Sequence, residues 1–500
     1  MITDPPAARN TPGRKPVYHP GYRFLRIFAD IRHGEAAKAL LLALNVFLLL
    51  LAYYILKPLR EALLLVDKDS AVVKSCLGGA QAILFIFVIK AFSRLASRVP
   101  RHALITWTTS FFISNLVLFY FLHMGGMAHK PMGILFFIWI GIFNYFVIAQ
   151  FWGFANDLYS DEVGKRTFPL IALGATLGGL VATLPVMNRL RDILGKNWEY
   201  KLMLIAGVLL VLCIVLARII HRRDVRKTCE DREKGLAGAE EKACIQEQPL
   251  KAGGGFRLIF KSRYLLLIAV LIGLYNFVNA TGEYIITAVT IKKEIVPPAS
   301  GQPAGLPRFS DADREGRPGQ DPSAAPTSEQ ETASKGIHKA FMTYQFLTNL
   351  IALVIQLFLV SRIFKWVGVG GALLFLPFIA LGGYALISFG AVLVLVRWVK
   401  ALENGTDYSL QNTTKAALFL VTQREEKYKA KAAIDTFFVR GGDTLSALAV
   451  LAGTQLLGLR IERYALLNVV VLVVLVGVCL KIIRAYKKRK AAVDAASLAA

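Results

Sequence analysis

The sequence predicts an all-α integral membrane protein in which about twelve helices cross the bilayer in two halves. Composition is the first indication, since 55% of the 500 residues are hydrophobic, 19% are charged, and mean hydropathy is +0.50. The second is that apolar runs of about 20 residues, the length needed to cross a bilayer, recur along the chain. The third is that segments such as 466–478 show no polar face, which argues against a large soluble helical protein.

Each span is placed by its own apolar window, and the polar segments between windows set the domain boundaries. The expected spans cover residues 36–65, 70–92, 102–124, 131–155, 168–190, 200–221, 263–290, 337–361, 366–388, 391–415, 433–456 and 463–484. They divide into a first six-helix half, 36–221, and a second six-helix half, 263–485.

Three polar segments flank these halves. Residues 1–35 are basic and rich in proline, and they predict a cytoplasmic tail without a secretory signal. Residues 222–262 are a charged cytoplasmic linker, and 486–500 form a second cytoplasmic tail. Within the second half, 294–336 is rich in proline, glycine and polar residues, and we expect a disordered outer loop there.

Basic residues set the expected orientation. Clusters of lysine and arginine follow the even-numbered spans and continue into the C-terminal tail, as in Lys165-Arg166 and Lys487-Lys488-Arg489-Lys490. This bias favours both termini in the cytoplasm. The net charge of +25 lies between spans, where it meets anionic lipid, so it does not indicate nucleic-acid binding.

Charged residues interrupt two expected spans. In the first, Lys57, Arg60 and Glu61 stand between apolar runs. In the tenth, polar side chains recur at steps of three and four along one helix face. That stripe consists of Arg397, Lys400, Glu403, Asn404, Asp407, Gln411 and Lys415. Because ionisable groups in hydrocarbon are stable only when they face protein, water or a ligand, these residues predict a solute pathway.

Two alternatives apply to these charges. Lys57 and Arg60 lie close enough to a helix end for their long side chains to reach the outer interface. Each buried acid could instead hold a static ion pair between helices.

Polar groups also recur with a period of three spans. Spans one, four, seven and ten carry most of them, including Asn144, Asn276, Asn279 and Glu283, and span eleven adds Asp435, Arg440 and Asp443. Spans three, six, nine and twelve are almost pure hydrocarbon. Two halves of three-plus-three helices around one central cavity require this period, so the fold class is major-facilitator-like.

Several motifs together resemble the ATP/ADP translocases of plastids and intracellular bacteria. They are Phe-Trp-Gly-Phe-Ala-Asn at 151–156, continuing to Gly174-Ala175; Tyr53-x-Ile-Leu-Lys57-x-x-Arg60-Glu61; Tyr408-Ser-Leu with Lys415; and Lys431-Ala-Ala-Ile-Asp435. The resemblance covers most of the chain and implies a facilitator-fold carrier that exchanges nucleotides without hydrolysing them. It also implies a multi-pass protein of a bacterial inner membrane.

The resemblance places four charged positions of that family on this sequence. Its first-span lysine falls on Arg60, whose planar guanidinium suits phosphate, and its seventh-span glutamate falls on Glu283. Its fourth-span glutamate falls near Asn144, and its eleventh-span lysine falls on Asp443, with Arg440 one turn earlier. The expected substrate-binding residues are Lys57, Arg60, Glu61, Asn144, Glu283, Lys400, Asp407, Arg440 and Asp443.

Nothing in the sequence predicts an enzyme, a metal site or a cofactor. No G-x-x-x-x-G-K-[ST] loop is present, and the seven histidines and five cysteines show no ligand spacing. The expected partners are a nucleotide or other small anionic solute and the lipid bilayer. Three hypotheses remain open: a nucleotide carrier, a carrier of another organic anion or metabolite with or without proton coupling, and a membrane scaffold that transports nothing.

Overall fold

The structure is a computed structural model, and it describes residues 36–65, 69–96, 101–159, 161–184, 186–233, 255–294, 328–419, 421–422, 426 and 430–499. Every structural statement below concerns these residues. The expected N-terminal tail, 1–35, lies outside them.

The first half is built from six long helices and one short one. They are α1 (Ala36–Leu64), α2 (Ser70–Ala96), α3 (Arg101–Met124), α4 (His129–Asp157), α5 (Asp161–Ala182), the short α6 (Val186–Leu194) and α7 (Trp198–Glu233). At most five residues separate consecutive helices along the chain, a spacing that favours antiparallel neighbours.

The second half repeats this plan, with π-helical turns between several of its described helices. It contains the short α8 (Gly255–Lys261), α9 (Arg263–Glu294), α10 (Ser328–Val354), α11 (Val360–Phe389), α12 (Leu393–Thr406), α13 (Asn412–Leu418), α14 (Lys431–Ala433), α15 (Val439–Gln455) and α16 (Ile461–Ala499). The π-helical turns are Ile355–Leu359, Asp407–Gln411 and Ile434–Phe438, and they join α10 to α11, α12 to α13, and α14 to α15.

Eight of the described helical segments are long and apolar enough to cross a membrane. Ser70–Phe85 and Leu170–Ala182 are shorter apolar stretches in α2 and α5. With the broken helices α12–α13 and α14–α15, these segments correspond to the twelve expected spans. The all-helical, membrane-spanning fold class predicted from the sequence is confirmed.

Helix packing repeats between the halves. In the first half α1 packs on α4, α5 and α7, and α3 packs on α4 and α7. In the second half α9 packs on α12, α15 and α16, and α11 packs on α12 and α16, which is the same pattern six spans later. Between the halves, α2 packs on α15 and α9, while α5 and α1 pack on α10. Two similar bundles therefore face each other through α1, α2, α5, α9, α10 and α15.

At two positions in these helices, the backbone geometry requires glycine. Helix α11 is kinked at Gly368, whose φ of 68° and ψ of −179° lie in a region that suits only glycine. At Gly178, a Cβ atom would lie 3.0 Å from the carbonyl carbon of Phe47. The missing side chain lets α5 approach α1 closely.

Three expected boundaries differ from the structure. The loop expected at 294–336 extends too far, because α10 begins at Ser328, and acidic residues in its first turn favour a helix start. Residues 222–233, expected as linker, continue α7, and α16 continues through the expected tail to Ala499. Hydropathy ends a span where charge begins, whereas the helix itself continues into the polar region.

Candidate functional site

Five charged side chains meet where the two halves face each other, and we call them the interhalf charge cluster: Lys57, Arg60 and Glu61 of α1, Lys74 of α2 and Glu283 of α9. Lys57 precedes the last residue of α1 by seven positions, or about 10 Å of helix. The i, i+3, i+4 spacing places the three α1 residues on one helix face. The charges predicted from the first span therefore point into the protein.

Glu61 is the most enclosed member of the cluster. Its side chain pairs with its neighbour Arg60, whose Nε donates to Glu61 Oε1 at 3.0 Å, and with Lys74, whose Nζ lies 2.8 Å from Oε2. Glu61 is only 2% exposed. Two cations on one carboxylate leave a positive excess on this side of the cluster.

Lys74 connects the first half to the second. Its ammonium donates to Thr287 Oγ1 of α9 at 3.0 Å and lies 4.0 Å from Glu283 Oε2. Lys74 therefore contacts an acid of its own half and an acid of the opposite half. Such a group is sensitive to any motion that separates the halves.

Glu283 is held mainly by neutral donors of the second half. The Tyr344 hydroxyl donates to its Oε1 at 2.7 Å, and the Asn404 amide donates to the same oxygen at 3.2 Å. Its side chain stays 28% exposed. The carboxylate is fixed in position but open on one side.

Lys57 has no salt bridge to a carboxylate within the described residues. Its ammonium donates to the Gln345 amide oxygen of α10 at 3.1 Å and lies 5.6 Å from the centre of the Tyr54 ring. The cluster as a whole contains three cations and two carboxylates. A half-buried cation with only neutral partners can bind an anion without first breaking an ion pair.

Lys400 belongs to a buried network of the second half that lies beside Glu283. Its ammonium contacts the side-chain oxygen of Asn279 at 2.6 Å and Glu403 Oε2 at 3.1 Å. The Tyr384 hydroxyl also donates to Glu403 Oε2, at 2.7 Å. Lys400 is 1% exposed. Since all its contacts are within the second half, this predicted site residue holds α9, α11 and α12 together in the present arrangement.

The remaining predicted site residues lie outside the interhalf charge cluster. Asp407, in the π-helical turn that follows α12, pairs with Lys415 of α13 at 2.9 Å. Asp443 pairs with Arg440 at 3.1 Å, and the Arg440 guanidinium lies over the Phe85 ring of α2 at 4.3 Å.

Asn144 of α4 makes no contact with the cluster in the described part of the chain. Its Oδ1 atom is buried and has no hydrogen-bond partner among the described residues. Of the nine predicted residues, the structure thus brings together Lys57, Arg60, Glu61 and Glu283.

Sequence reasoning missed Lys74, Tyr344 and Gln345. Lys74 lies five positions into an apolar span, so its sequence position suggests an interfacial lysine. Tyr344 and Gln345 are uncharged, so in a membrane helix their sequence positions do not indicate a binding site. A search for every charge inside an apolar window, wherever it lies in the window, would have found Lys74.

The halves are joined at the end of the molecule where α1 meets α2, which we call the closed end. There the Arg191 guanidinium donates to the Lys335 carbonyl at 3.0 Å, and Ser334 donates to Glu199 at 3.2 Å. The Trp198 ring packs edge-on against His338. Each of these contacts crosses from the first half to the second.

At the opposite end, the polar contacts that the structure shows stay within a half. Lys38 pairs with Asp224 in the first half, at 2.5 Å. Arg489 contacts Glu426 at 3.0 Å and Ser262 at 2.9 Å in the second. Among the described residues, the printed contacts that join the two halves at an end of the bundle therefore lie at the closed end.

No group of three or more histidine, cysteine, aspartate or glutamate residues within the described ranges is arranged to hold a metal ion.

Comparison with known proteins gives a family model and curated relatives. The model described as "TLC ATP/ADP transporter" matches residues 127–286, a range that contains the Phe-Trp-Gly-Phe-Ala-Asn motif and Glu283. "ADP,ATP carrier protein 1" of Chlamydia muridarum is 25% identical over 327 residues, which are 60% of this chain and 54% of that protein. The protein of the same name from Chlamydia pneumoniae is 25% identical over 334 residues. The chain thus spans about half the length of these relatives.

Solved structures share the fold at low sequence identity. The nucleoside transporter NupG matches with a TM-score of 0.51 and 12% identity over 90% of this chain and 98% of that one. A bacterial homologue of the human lysosomal transporter Spinster, in an inward-facing and unoccupied conformation, matches with a TM-score of 0.55 and 13% identity. It covers 91% of this chain and 98% of that one. These matches support the major-facilitator-like architecture.

Proposed function

We infer that this chain, a divergent member of the TLC ATP/ADP transporter family, carries nucleotides across a membrane by alternating access. The observation that carries the proposal is the interhalf charge cluster, in which Lys74 contacts acids of both halves inside the membrane-spanning region. Charges at such a site are favourable only where they face each other, water or a charged solute. The family match and its relatives support a nucleotide as that solute.

Lys57 and Arg60 are the proposed phosphate-binding residues. Lys57 has only a neutral amide as a hydrogen-bond partner, so its charge is available to an incoming anion. Arg60 offers a planar fork that bonds two phosphate oxygens at once. When phosphate binds Arg60, the carboxylate of Glu61 still keeps Lys74 as a partner.

The closed end is the proposed extracellular gate. The basic bias between spans favours cytoplasmic termini, and α1 runs from the N-terminal side to the closed end. In this proposed orientation, a bundle that is closed at the extracellular end would admit the solute from the cytoplasm. Opening outward requires separation of Lys74 from Thr287 and Glu283, and of Arg191 from the Lys335 carbonyl.

The proposed location is a bacterial inner membrane, with both tails in the cytoplasm. The two six-helix halves, 36–221 and 263–485, are the proposed moving bodies, joined by the segment 222–262. Lys400, Asp407, Arg440 and Asp443 remain proposed contributors to the pathway, each neutralised by a partner in the present arrangement.

Uptake of labelled ATP by proteoliposomes containing the purified protein tests this proposal. Vesicles are preloaded with ADP or left empty, with and without a pH gradient. Uptake that requires internal ADP supports exchange, and uptake driven by the gradient supports proton coupling. If folded protein takes up no ATP under any of these conditions, the adenine-nucleotide proposal is wrong.

Two variants connect flux to the proposed site. Lys57→Gln removes the cation that has no carboxylate partner and should raise the KM for ATP. Lys431→Gln removes an exposed lysine that pairs with Asp435 within one turn and should leave flux unchanged. Equal effects of both substitutions would show that net charge, and not the interhalf charge cluster, governs transport.

A further inference from the structure

A second basic site lies on the outside of the first half, away from the interhalf charge cluster. A cavity of about 320 Å³ opens between α3, α4 and α7. It is lined by Ile105, Thr106, Trp107, Phe154, Ala217, Arg218, His221 and Arg222. The lining contains two arginines and a histidine but no carboxylate. Its chemistry therefore suits an anion.

The cations lie on the helix face that turns toward lipid. On α7, Val211 and Val215 are exposed apolar residues, and Arg218 and Arg222 continue the same i, i+4, i+7, i+11 face. Both arginines are exposed, and neither forms a salt bridge to a carboxylate within the described residues. A lipid can contact the exposed apolar surface and the two arginines at the same time. A small soluble anion would contact only the arginines.

Trp107 places this cavity at a membrane interface. It is 72% exposed on α3, about two turns from the start of that helix. Tryptophan prefers the headgroup level, where its apolar ring and its N–H group are both satisfied. From Trp107, the same face of α3 continues through the exposed Phe111, Leu118 and Phe121, which offer a track for an acyl chain.

We propose that this cavity binds the headgroup of an anionic phospholipid, with Arg218 and Arg222 contacting the phosphate, Trp107 lying beside the glycerol region, and the acyl chains lying along α3 and α7. Basic cavities between transmembrane helices are typical binding sites for anionic headgroups. Because the cavity lies at the end opposite the closed end, the lipid belongs to the cytoplasmic leaflet in the proposed orientation. A lipid there contacts α3, α4 and α7 at once and stabilises the packing of the first half.

The test compares lipids on purified protein stripped of native lipid in a neutral detergent. Melting temperature is measured with added phosphatidylglycerol, with phosphatidylcholine of the same acyl chains, or with inorganic phosphate. We expect the largest rise with phosphatidylglycerol. An equal rise with phosphatidylcholine or with phosphate alone would overturn the proposal, because it would remove the need for the anionic headgroup or for the lipid.

A double variant tests whether phosphatidylglycerol binds at this cavity. Arg218→Gln with Arg222→Gln should weaken phosphatidylglycerol binding by on the order of ten- to thirtyfold, since each surface cation contributes roughly three- to fivefold. The matched control, Arg223→Gln with Arg484→Gln, also removes two arginines but leaves the cavity intact. The same loss in both variants would refute the assignment to this cavity.

A second measurement uses the unmodified protein. A photoreactive phosphatidylglycerol is cross-linked in vesicles, and the labelled peptides are identified by mass spectrometry. The proposal expects labelling of the peptides that contain 105–107 and 217–222. Labelling confined to other helices would overturn it even if the double variant failed to fold.

Discussion

Lys74 provides the sharpest test of the proposed gate. In Lys74→Met the ammonium is lost, so the hydrogen bond to Thr287 at 3.0 Å and the attraction to Glu283 at 4.0 Å disappear. Both contacts exist only while the halves are joined, whereas the pairing with Glu61 is within one half. A hydrogen bond involving a charged group contributes about 1.5–3 kcal/mol. In the open state, water replaces part of this hydrogen-bond energy, so the closed state loses about 1–2 kcal/mol of relative stability in the variant. The ratio of open to closed molecules should therefore rise by roughly five- to thirtyfold.

Distances between spin labels on the two halves measure this shift. Ile193 of α6 and Lys339 of α10 are both exposed near the closed end, and they accept labels in a background without the native cysteines. The unmodified protein should give mainly the short distance, and Lys74→Met should add a clear long-distance population.

Thr287→Val is a milder test, because it removes only the hydroxyl that accepts the hydrogen bond from Lys74. It should increase the long-distance population as well, but by less than Lys74→Met does. Lys431→Gln, which removes a lysine paired with Asp435 four residues later in the same half, should leave the distances unchanged. An unaltered distance distribution in Lys74→Met would refute the reasoning that Lys74 holds the halves together.

Three further predictions concern separate parts of the molecule. Lys57→Gln should raise the KM for ATP by about tenfold, which transport kinetics in proteoliposomes measure. The melting temperature should stay constant, because Lys57 loses only a hydrogen bond to the neutral amide of Gln345. Thermal unfolding measures this second effect. Lys400→Gln should lower stability by about 3–5 kcal/mol, since Glu403 is then left buried without its cation, and thermal unfolding in detergent would detect this. Gly178→Val should destabilise by about 1–3 kcal/mol, because α5 can no longer approach Phe47, and a melting temperature equal to that of the unmodified protein would contradict this.

The sequence predicts the architecture well because one physical requirement governs membrane helices. Backbone groups must be satisfied inside each span, so length and hydropathy locate nearly every helix. Periodicity of polar residues adds the two-half arrangement, since helices that line a cavity carry the polar groups. Helix ends are less predictable: α7 and α16 continue into charged sequence, where helix propensity replaces hydropathy as the deciding factor.

The site is only partly predictable from the sequence. Lys57, Arg60, Glu61 and Glu283 are recognisable because charge inside an apolar run is expensive. Which cation meets which acid depends on how α2 and α9 pack, and sequence spacing does not contain that information. Lys400 and Asp443 look similar to Lys57 in the sequence, yet each is neutralised by a partner three residues away on its own helix.

The most direct test of the central claim is labelled ATP uptake by proteoliposomes that contain equal amounts of folded unmodified protein, Lys57→Gln or Lys431→Gln. We predict uptake by the unmodified protein and by Lys431→Gln, and a strong loss at low ATP concentration for Lys57→Gln. Uptake that is the same for all three proteins, or that is absent from all three, would contradict nucleotide transport through the interhalf charge cluster.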